Sequence, residues 1–140
     1  MAVDLGEKRI GLALSDPSRT IARPLVVISH VGRLVDAAAV VSLAAENGVV
    51  LIVVGQPLSS NGEIGPGARH AARFADELGA QTSIPITLWD ESGSTQAARQ
   101  VRIEMGVNRE KRRGHMDDAA AAIILQTYLD AHPDLSDFSP

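Results

Sequence analysis

The feature that most restricts the fold is Val49-Val50-Leu51-Ile52-Val53-Val54, an unbroken run of β-branched and aliphatic residues. The run shows no polar alternation and is too short for a fully buried helix. It therefore reads as a strand covered on both faces of a sheet. Such a sheet needs helices on its two sides. The flanking sequence supplies them. Arg33 to Glu46 carries Leu34, Ala38, Val41 and Ala45 at helical spacing, with Asn47-Gly48 as a stop. Ala68 to Leu78 places Ala71, Phe74, Ala75 and Leu78 on one stripe, with Gly79 as its stop.

Before these, the pattern is that of hairpins. Ala2-Val3-Asp4-Leu5 reads as a short strand ending in a turn at Gly6-Glu7-Lys8. Ile10 to Leu14 alternates large and small residues, so that Gly11, Ala13 and Ser15 form a face that a helix or ligand can approach closely. Pro24 to Ile28 is a third strand, with Pro24 at its start, where a missing N–H is tolerable. Gly55 to Gly67 is a loop rich in Gly, Pro, Ser and Asn. Ile84 to Trp89 is a further strand, and a helix capped by Ser94 follows to Met105, stopped by Gly106. The last helix starts near Asp117-Asp118 and runs to about Ala131. Its first half, Ala119 to Leu125, is apolar all round and is expected to be buried, whereas Asp130 to Pro140 reads as a frayed end. The expectation is an α/β fold with a mixed five-stranded sheet flanked by helices. It forms one domain over 1–131, with 132–140 as a flexible tail.

Composition limits the chemistry. With no cysteine in 140 residues, disulfides and thiolate metal sites are excluded. Any metal must sit on oxygen or imidazole ligands, and carboxylate-rich sites favour Mg²⁺ or Mn²⁺. No apolar run reaches membrane-spanning length and no leader pattern opens the chain, which makes a cytoplasmic protein, free of membrane, the expectation. A net charge of −4 argues against bulk attraction to nucleic acid but leaves room for a local basic patch.

Three acidic positions stand where α/β sheets collect ligands, at strand ends and helix starts. Asp4 closes the first strand just before a glycine turn, where accepting N–H bonds from Gly6 or Glu7 is the bland alternative. Glu91 follows the strand ending at Trp89, a place where acids are often merely solvated. Asp117 and Asp118 open a helix, where capping and the dipole favour negative charge. Gathered together, these carboxylates would repel one another without a cation. Two divalent ions about 4 Å apart would remove the conflict and stabilise the attacking and leaving oxygens of a phosphoryl transfer. Arg99, Arg102, Arg109, Lys111, Arg112 and Arg113 form the one concentrated basic stretch, either a phosphate clamp or a solvated loop. Lys8 and Arg9 adjoin Asp4, and Ser94 and Thr95 offer a helix start to a phosphate or simply cap it. His70 reads as an exposed helix flank, and His115, close to Asp117, is not assigned a role.

Four motifs, in order, then point to a family. Val3-Asp4-Leu5-Gly6-Glu7-Lys8-Arg9-Ile10-Gly11-Leu12-Ala13-Leu14-Ser15-Asp16 resembles the N-terminal signature of the YqgF/RuvX proteins. So do Val53-Val54-Gly55-Gln56-Pro57-Leu58 with Asn61-Gly62, Trp89-Asp90-Glu91-Ser92-Gly93-Ser94-Thr95, and the helix from Asp117-Asp118 to Leu129. The resemblance implies an RNase H-like fold related to RuvC Holliday-junction resolvases. It further implies a nuclease that trims precursor 16S ribosomal RNA, with junction resolution as the alternative. By position it assigns Asp4, Glu91 and Asp117 as catalytic metal ligands, with Asp118 a competitor or support for Asp117. Nucleic acid, as precursor rRNA or branched DNA, is the implied partner, together with the ribosomal small subunit; the protein is expected to be a monomer or weak homodimer. One place departs: the family has Arg-Leu after Asp-Glu, and this chain has Ser92-Gly93, which removes a cation that could hold a phosphate.

Two other classes compete. Asp-x-Gly on a first hairpin also occurs in actin-like and sugar-kinase nucleotide sites, although those enclose the nucleotide between two domains. A catalytically silent nucleic-acid-binding module is the other, and the missing arginine speaks for it.

Overall fold

A computed structural model describes residues 1–58, 65–90 and 116–133. Five strands are present: β1 (Ala2–Leu5), β2 (Arg9–Ser15), β3 (Ala22–Ser29), β4 (Ile52–Gln56) and β5 (Ile86–Asp90). Among the described residues three helices accompany them: α1 (Arg33–Glu46), α2 (Pro66–Gln81) and α3 (Met116–Ala131). The sheet order is β3-β2-β1-β4-β5, with β1, β2 and β3 antiparallel and β1, β4 and β5 parallel. This is the mixed sheet the pattern predicts.

Each strand divides its residues between two cores. Val3, Ile10, Leu12, Ile52 and Val54 bury against α1 and α2, around Phe74 and Leu78. Ala2, Ala13 and Val53 bury against Ala121, Ile124 and Leu125 of α3. The small face of β2 is thus used for close helix packing. Ile52, Val53 and Val54 have no exposed surface at all, as a central strand between two helical layers requires.

Several boundaries move, each for a local reason. β4 begins at Ile52 rather than Val49, since Val50 is 61% exposed and pairing starts only where β1 and β5 flank the chain. Gly55 and Gln56 extend β4 into the expected loop, and Pro66 opens α2 as a first-turn proline. β5 starts two residues late, at Ile86, and ends on Asp90. α2 passes through Gly79 to Gln81, because a glycine costs helix stability without forcing a stop. In α1 the predicted stripe is rotated. Leu34 is 66% exposed, and the buried positions are Asp36, Ala37, Val40 and Ala44. Apolar residues surround much of this helix, so periodicity leaves its face undecided; the pairing of Asp36 described below settles it.

Helix α1 does end at Asn47-Gly48, where Gly48 adopts φ +65° and the Asn47 N–H donates to Leu43. Pro24 lies inside β3, on the edge strand beside an irregularity between Leu12 and Ala13, so its missing N–H breaks no ladder. α3 is buried on one side only: Ala121, Ile124 and Leu125 are covered, and Ala119, Ala120, Ala122 and Ile123 are half-buried. The expected frayed end is partly ordered, since His132 stacks on Tyr128 at 4.1 Å between ring centroids. The expected helix from Ser94 to Met105 lies outside the described residues.

Candidate active site

Consecutive residues on a strand point to opposite faces, so Asp4 and Leu5 at the end of β1 part company. Leu5 packs into the α1/α2 core. Asp4 shares the side of Ala2, which α3 covers, and is half-buried opposite Gly11 of β2. Gly11 adds no side chain there. The Gly6 N–H donates to the Arg9 carbonyl at 2.9 Å, so that donor is committed to the backbone turn. A Cβ on residue 6 would stand 2.5 Å from the same carbonyl oxygen, which makes glycine obligatory by close approach. Lys8 and Arg9 are exposed at this hairpin, next to Asp4 in sequence.

Asp117 and Asp118 lie in the first turn of α3, the helix that packs on the Asp4 side of the sheet. Glu91 directly follows β5. Glu91, Ser94, Thr95, Arg99, Arg102, Arg109, Lys111, Arg112, Arg113 and His115 lie outside the described residues. Among the described residues, no three Asp, Glu or His side chains gather. The donor set read from the sequence is carboxylate only, and Asp4, half-buried at the end of β1, suits a hard cation of the Mg²⁺ or Mn²⁺ type in kind.

The opposite face holds a second group of polar residues, and sequence reasoning misses most of it. The His30 N–H donates to the Lys8 carbonyl at 2.9 Å, which ties the end of β3 to the β1–β2 hairpin. Asp36, 2% exposed, accepts from the Val31 N–H at 3.0 Å and pairs with His30 Nδ1 at 2.5 Å. Burial alone would push this carboxyl up, but the bonds from Val31 and His30 hold it below its ordinary value of 3.8. An ionised carboxylate only accepts, so His30 Nδ1 carries the proton and Nε2 remains as the ring's second polar atom. His70, expected on an exposed flank, is half-buried, with its ring 6.5 Å from that of His30 and edge-on to it. Burial, then the charges of His30, Arg33 and Arg73, push His70 below its ordinary value of 6.5. Both rings line a cavity of 310 Å³. A polar residue on a helix face otherwise made of Ala37, Val40 and Ala44 is the signal that marks Asp36 in retrospect.

Comparison with known proteins places the arrangement. The family model described as "RuvX: Holliday junction resolvase" matches residues 1–131. The chain belongs to the RuvX family. A relative from Roseiflexus sp. (strain RS-1), named as a pre-16S rRNA nuclease, is 44% identical over 131 residues, covering 94% of this chain and 93% of its own. A Myxococcus xanthus relative of the same name is 39% identical and covers all of this chain and 93% of its own. Among solved structures, Thermus thermophilus RuvC in complex with a Holliday junction substrate aligns with TM-score 0.58 at 17% identity, covering 94% of this chain and 92% of that one. That likeness establishes the RNase H-like fold expected from the motifs.

Within this RuvX-family chain, much of the last matching motif serves docking. Gln126 Oε1 accepts from the Ala22 N–H and its Nε2 donates to the Thr20 carbonyl, both at 2.9 Å. Trp89 Nε1 donates to Thr127 Oγ1 at 3.1 Å, and the Trp89 ring stands edge-on to Tyr128 at 5.2 Å. These contacts fix α3 against both edges of the sheet. The Gly55-Gln56-Pro57 segment turns to the other side, where Gln56 Nε2 donates to the Ala68 carbonyl at 3.2 Å and Pro57 borders the cavity.

Proposed function

We propose that this protein is a metal-dependent, cytoplasmic nuclease that hydrolyses phosphodiester bonds and trims the end of precursor 16S rRNA. The observation that carries the reading is the placement of Asp4 at the end of β1, on the sheet face covered by the helix that begins with Asp117 and Asp118. The names of the curated relatives support the substrate. In this reading Asp4, Glu91 and Asp117, with Asp118 in support, hold one or two Mg²⁺ or Mn²⁺ ions. The ions would supply charge neutralisation at the phosphate and a water of lowered pKa.

The chain's own residues do the positioning. Asp4 is held by the ladder between β1 and β2 and cannot drift, which keeps the reacting phosphate at a fixed height on the sheet edge. Lys8 and Arg9, exposed beside it, would pair with phosphates of the strand. Ser94, Thr95, Arg109, Lys111, Arg112 and Arg113 are assigned to the same backbone. With Ser92-Gly93 in place of Arg-Leu, the cations among these residues would take the phosphate contact that an arginine there could make. The catalytic unit is the single domain over 1–131.

Holliday-junction cleavage is the second reading, favoured by the description of the family and by the likeness to resolvases. The test is incubation of the protein with labelled precursor rRNA fragments and with four-way junctions, in Mg²⁺, Mn²⁺ or chelator. Metal-dependent cleavage of the RNA is expected, and Asp4→Asn should lower it at least a hundredfold, as loss of a direct ligand costs no less than loss of its supports (about 10–100-fold). Cleavage that survives Asp4→Asn would sink the site. Cleavage of the junction alone would establish the second reading.

A further inference from the structure

The cavity on the α1/α2 face has no role in the metal reading, yet it opens one residue away from it. Leu5 lines it, and Leu5 follows Asp4 on the same strand with its side chain on the other face. Its volume of 310 Å³ lies at the small end of ligand cavities, roughly 300–1,000 Å³, the scale of one planar ring system. Leu5, Pro57 and Ala71 give apolar walls, and His30 and His70 give two rings set at 80° to each other. Gly67 brings α2 against Pro57 so closely that a Cβ there would stand 3.0 Å from the Pro57 ring.

The polar groups at the cavity are few and fixed. His30 is held in one tautomer by the buried Asp36, and its Nε2 is the ring's remaining polar atom. Glu7 supplies a carboxylate. Among the described residues no third ligand joins the two imidazoles, so the set does not make a metal site. Flat imidazole and proline faces stack on nucleobases, and a carboxylate accepts from a base's exocyclic amino group. Arg33 and Arg73, near enough to act on His70, add positive charge for the adjoining phosphate.

We infer that this cavity takes one unpaired nucleobase, of a type bearing an exocyclic amino group, from the strand whose backbone lies at Asp4. The inference rests on the nuclease reading and extends it. The substrate is engaged as a single strand that straddles the sheet edge, phosphate on the α3 side and base on the α1/α2 side. A base within a duplex has its amino edge paired and its faces stacked, so cleavage would be confined to unpaired positions.

The experiment is binding of the whole protein to a short single-stranded oligoribonucleotide of mixed sequence, in Ca²⁺, a hard cation that neutralises carboxylates but supports hydrolysis poorly in place of Mg²⁺. The same strand is then used with each base removed in turn. One abasic position should weaken binding about tenfold, and His70→Ala should cost the intact strand about the same. On the strand lacking that base, His70→Ala should cost nothing further. His70→Phe, which keeps a flat ring, should restore binding, and cytidine 5′-monophosphate should shift the amides of Gly67 and Ala71 while uridine 5′-monophosphate does not. Failure to bind the strand, a flat abasic scan, or an equal loss from His70→Ala on intact and abasic strands would each overturn the inference. Failure of the nuclease reading shows instead in the cleavage assay with Asp4→Asn.

Discussion

The two faces of the sheet are built to different rules. Among the described residues the α3 side is closed by small residues, with Ala2, Ala13 and Ala121 in one cluster and α3 clamped by Gln126, Thr127 and Trp89. The proposed chemistry stands at its rim, on Asp4 and at the helix start. The α1/α2 side is a larger core filled by Phe74, Leu78, Ile10 and Leu12, and it tolerates a buried carboxylate and a cavity. A thin layer over small residues can hold a backbone and its charges near the sheet edge. A thick layer can be hollowed beside it without losing the core. In the proposed reading the division gives rigidity to one face and recognition to the other.

That contrast can be broken in graded steps. Phe74→Ala removes the largest fully buried side chain and should cost about 3–5 kcal/mol, a large part of the stability of a small domain. Urea unfolding followed by circular dichroism measures it. If the loss is under about 1 kcal/mol, the α1/α2 side is not the main core. Asp36→Ala should cost about 1–3 kcal/mol, because the Val31 N–H and His30 lose a buried acceptor. In the same unfolding series Asp36→Asn, which keeps an acceptor for Val31, should cost less; equal losses would mean the pairing with His30 and Val31 is not what holds Asp36 inside.

Trp89→Phe removes the bond to Thr127 and should cost about 1 kcal/mol. Trp89 is the single tryptophan, so in the parent chain its fluorescence reports the junction of β5 with α3. Coincidence of that signal with circular dichroism would show the two faces unfolding together, and an earlier fluorescence change would split them.

The smallest effect is a pH dependence. His70 is held below 6.5 and Asp36 below 3.8 in the folded chain, so in both windows the unfolded state binds more protons. The buried Met1 amino group, lowered from 8.0 to about 5, acts in the same direction, so stability should decline as pH falls from about 8 through 6.5, where His70 adds to it, and decline again below 3.8. His70→Phe should lessen the first decline near pH 6.5, leaving the share of the Met1 amino group, and leave the second. Midpoints of urea unfolding at a series of pH values check this, and a first decline unchanged in His70→Phe would place its origin elsewhere.

Much of this division is legible in the residues, and unequally so. The strands at Ala2–Leu5 and Arg9–Ser15, the termini of α1 and the stripe of α2 follow from alternation, glycine stops and helical spacing. The small face of β2 foretells close helix packing. Asp4 is visible because an acid at the end of an apolar strand is unusual and its neighbours match a known motif. The α1 face is not legible, since Leu34 and Val35 are as apolar as Ala37 and Val40, and only the long-range pairing of Asp36 with His30 chooses between them. The cavity is equally hidden, because its residues come from the end of β1 and its turn, from His30 just after β3, from the end of β4 and from α2, and carry no common spacing.

The central claim is that the acidic rim on the α3 side holds the divalent ion, and the histidines on the other side do not. Mn²⁺ titrated into the protein broadens nuclear resonances close to the bound ion. The account predicts early broadening of the amides of Asp4, Gly11 and neighbouring residues, lost in Asp4→Asn, with His30 and His70 unaffected. Broadening centred on His30 and His70, and unchanged by Asp4→Asn, would contradict it.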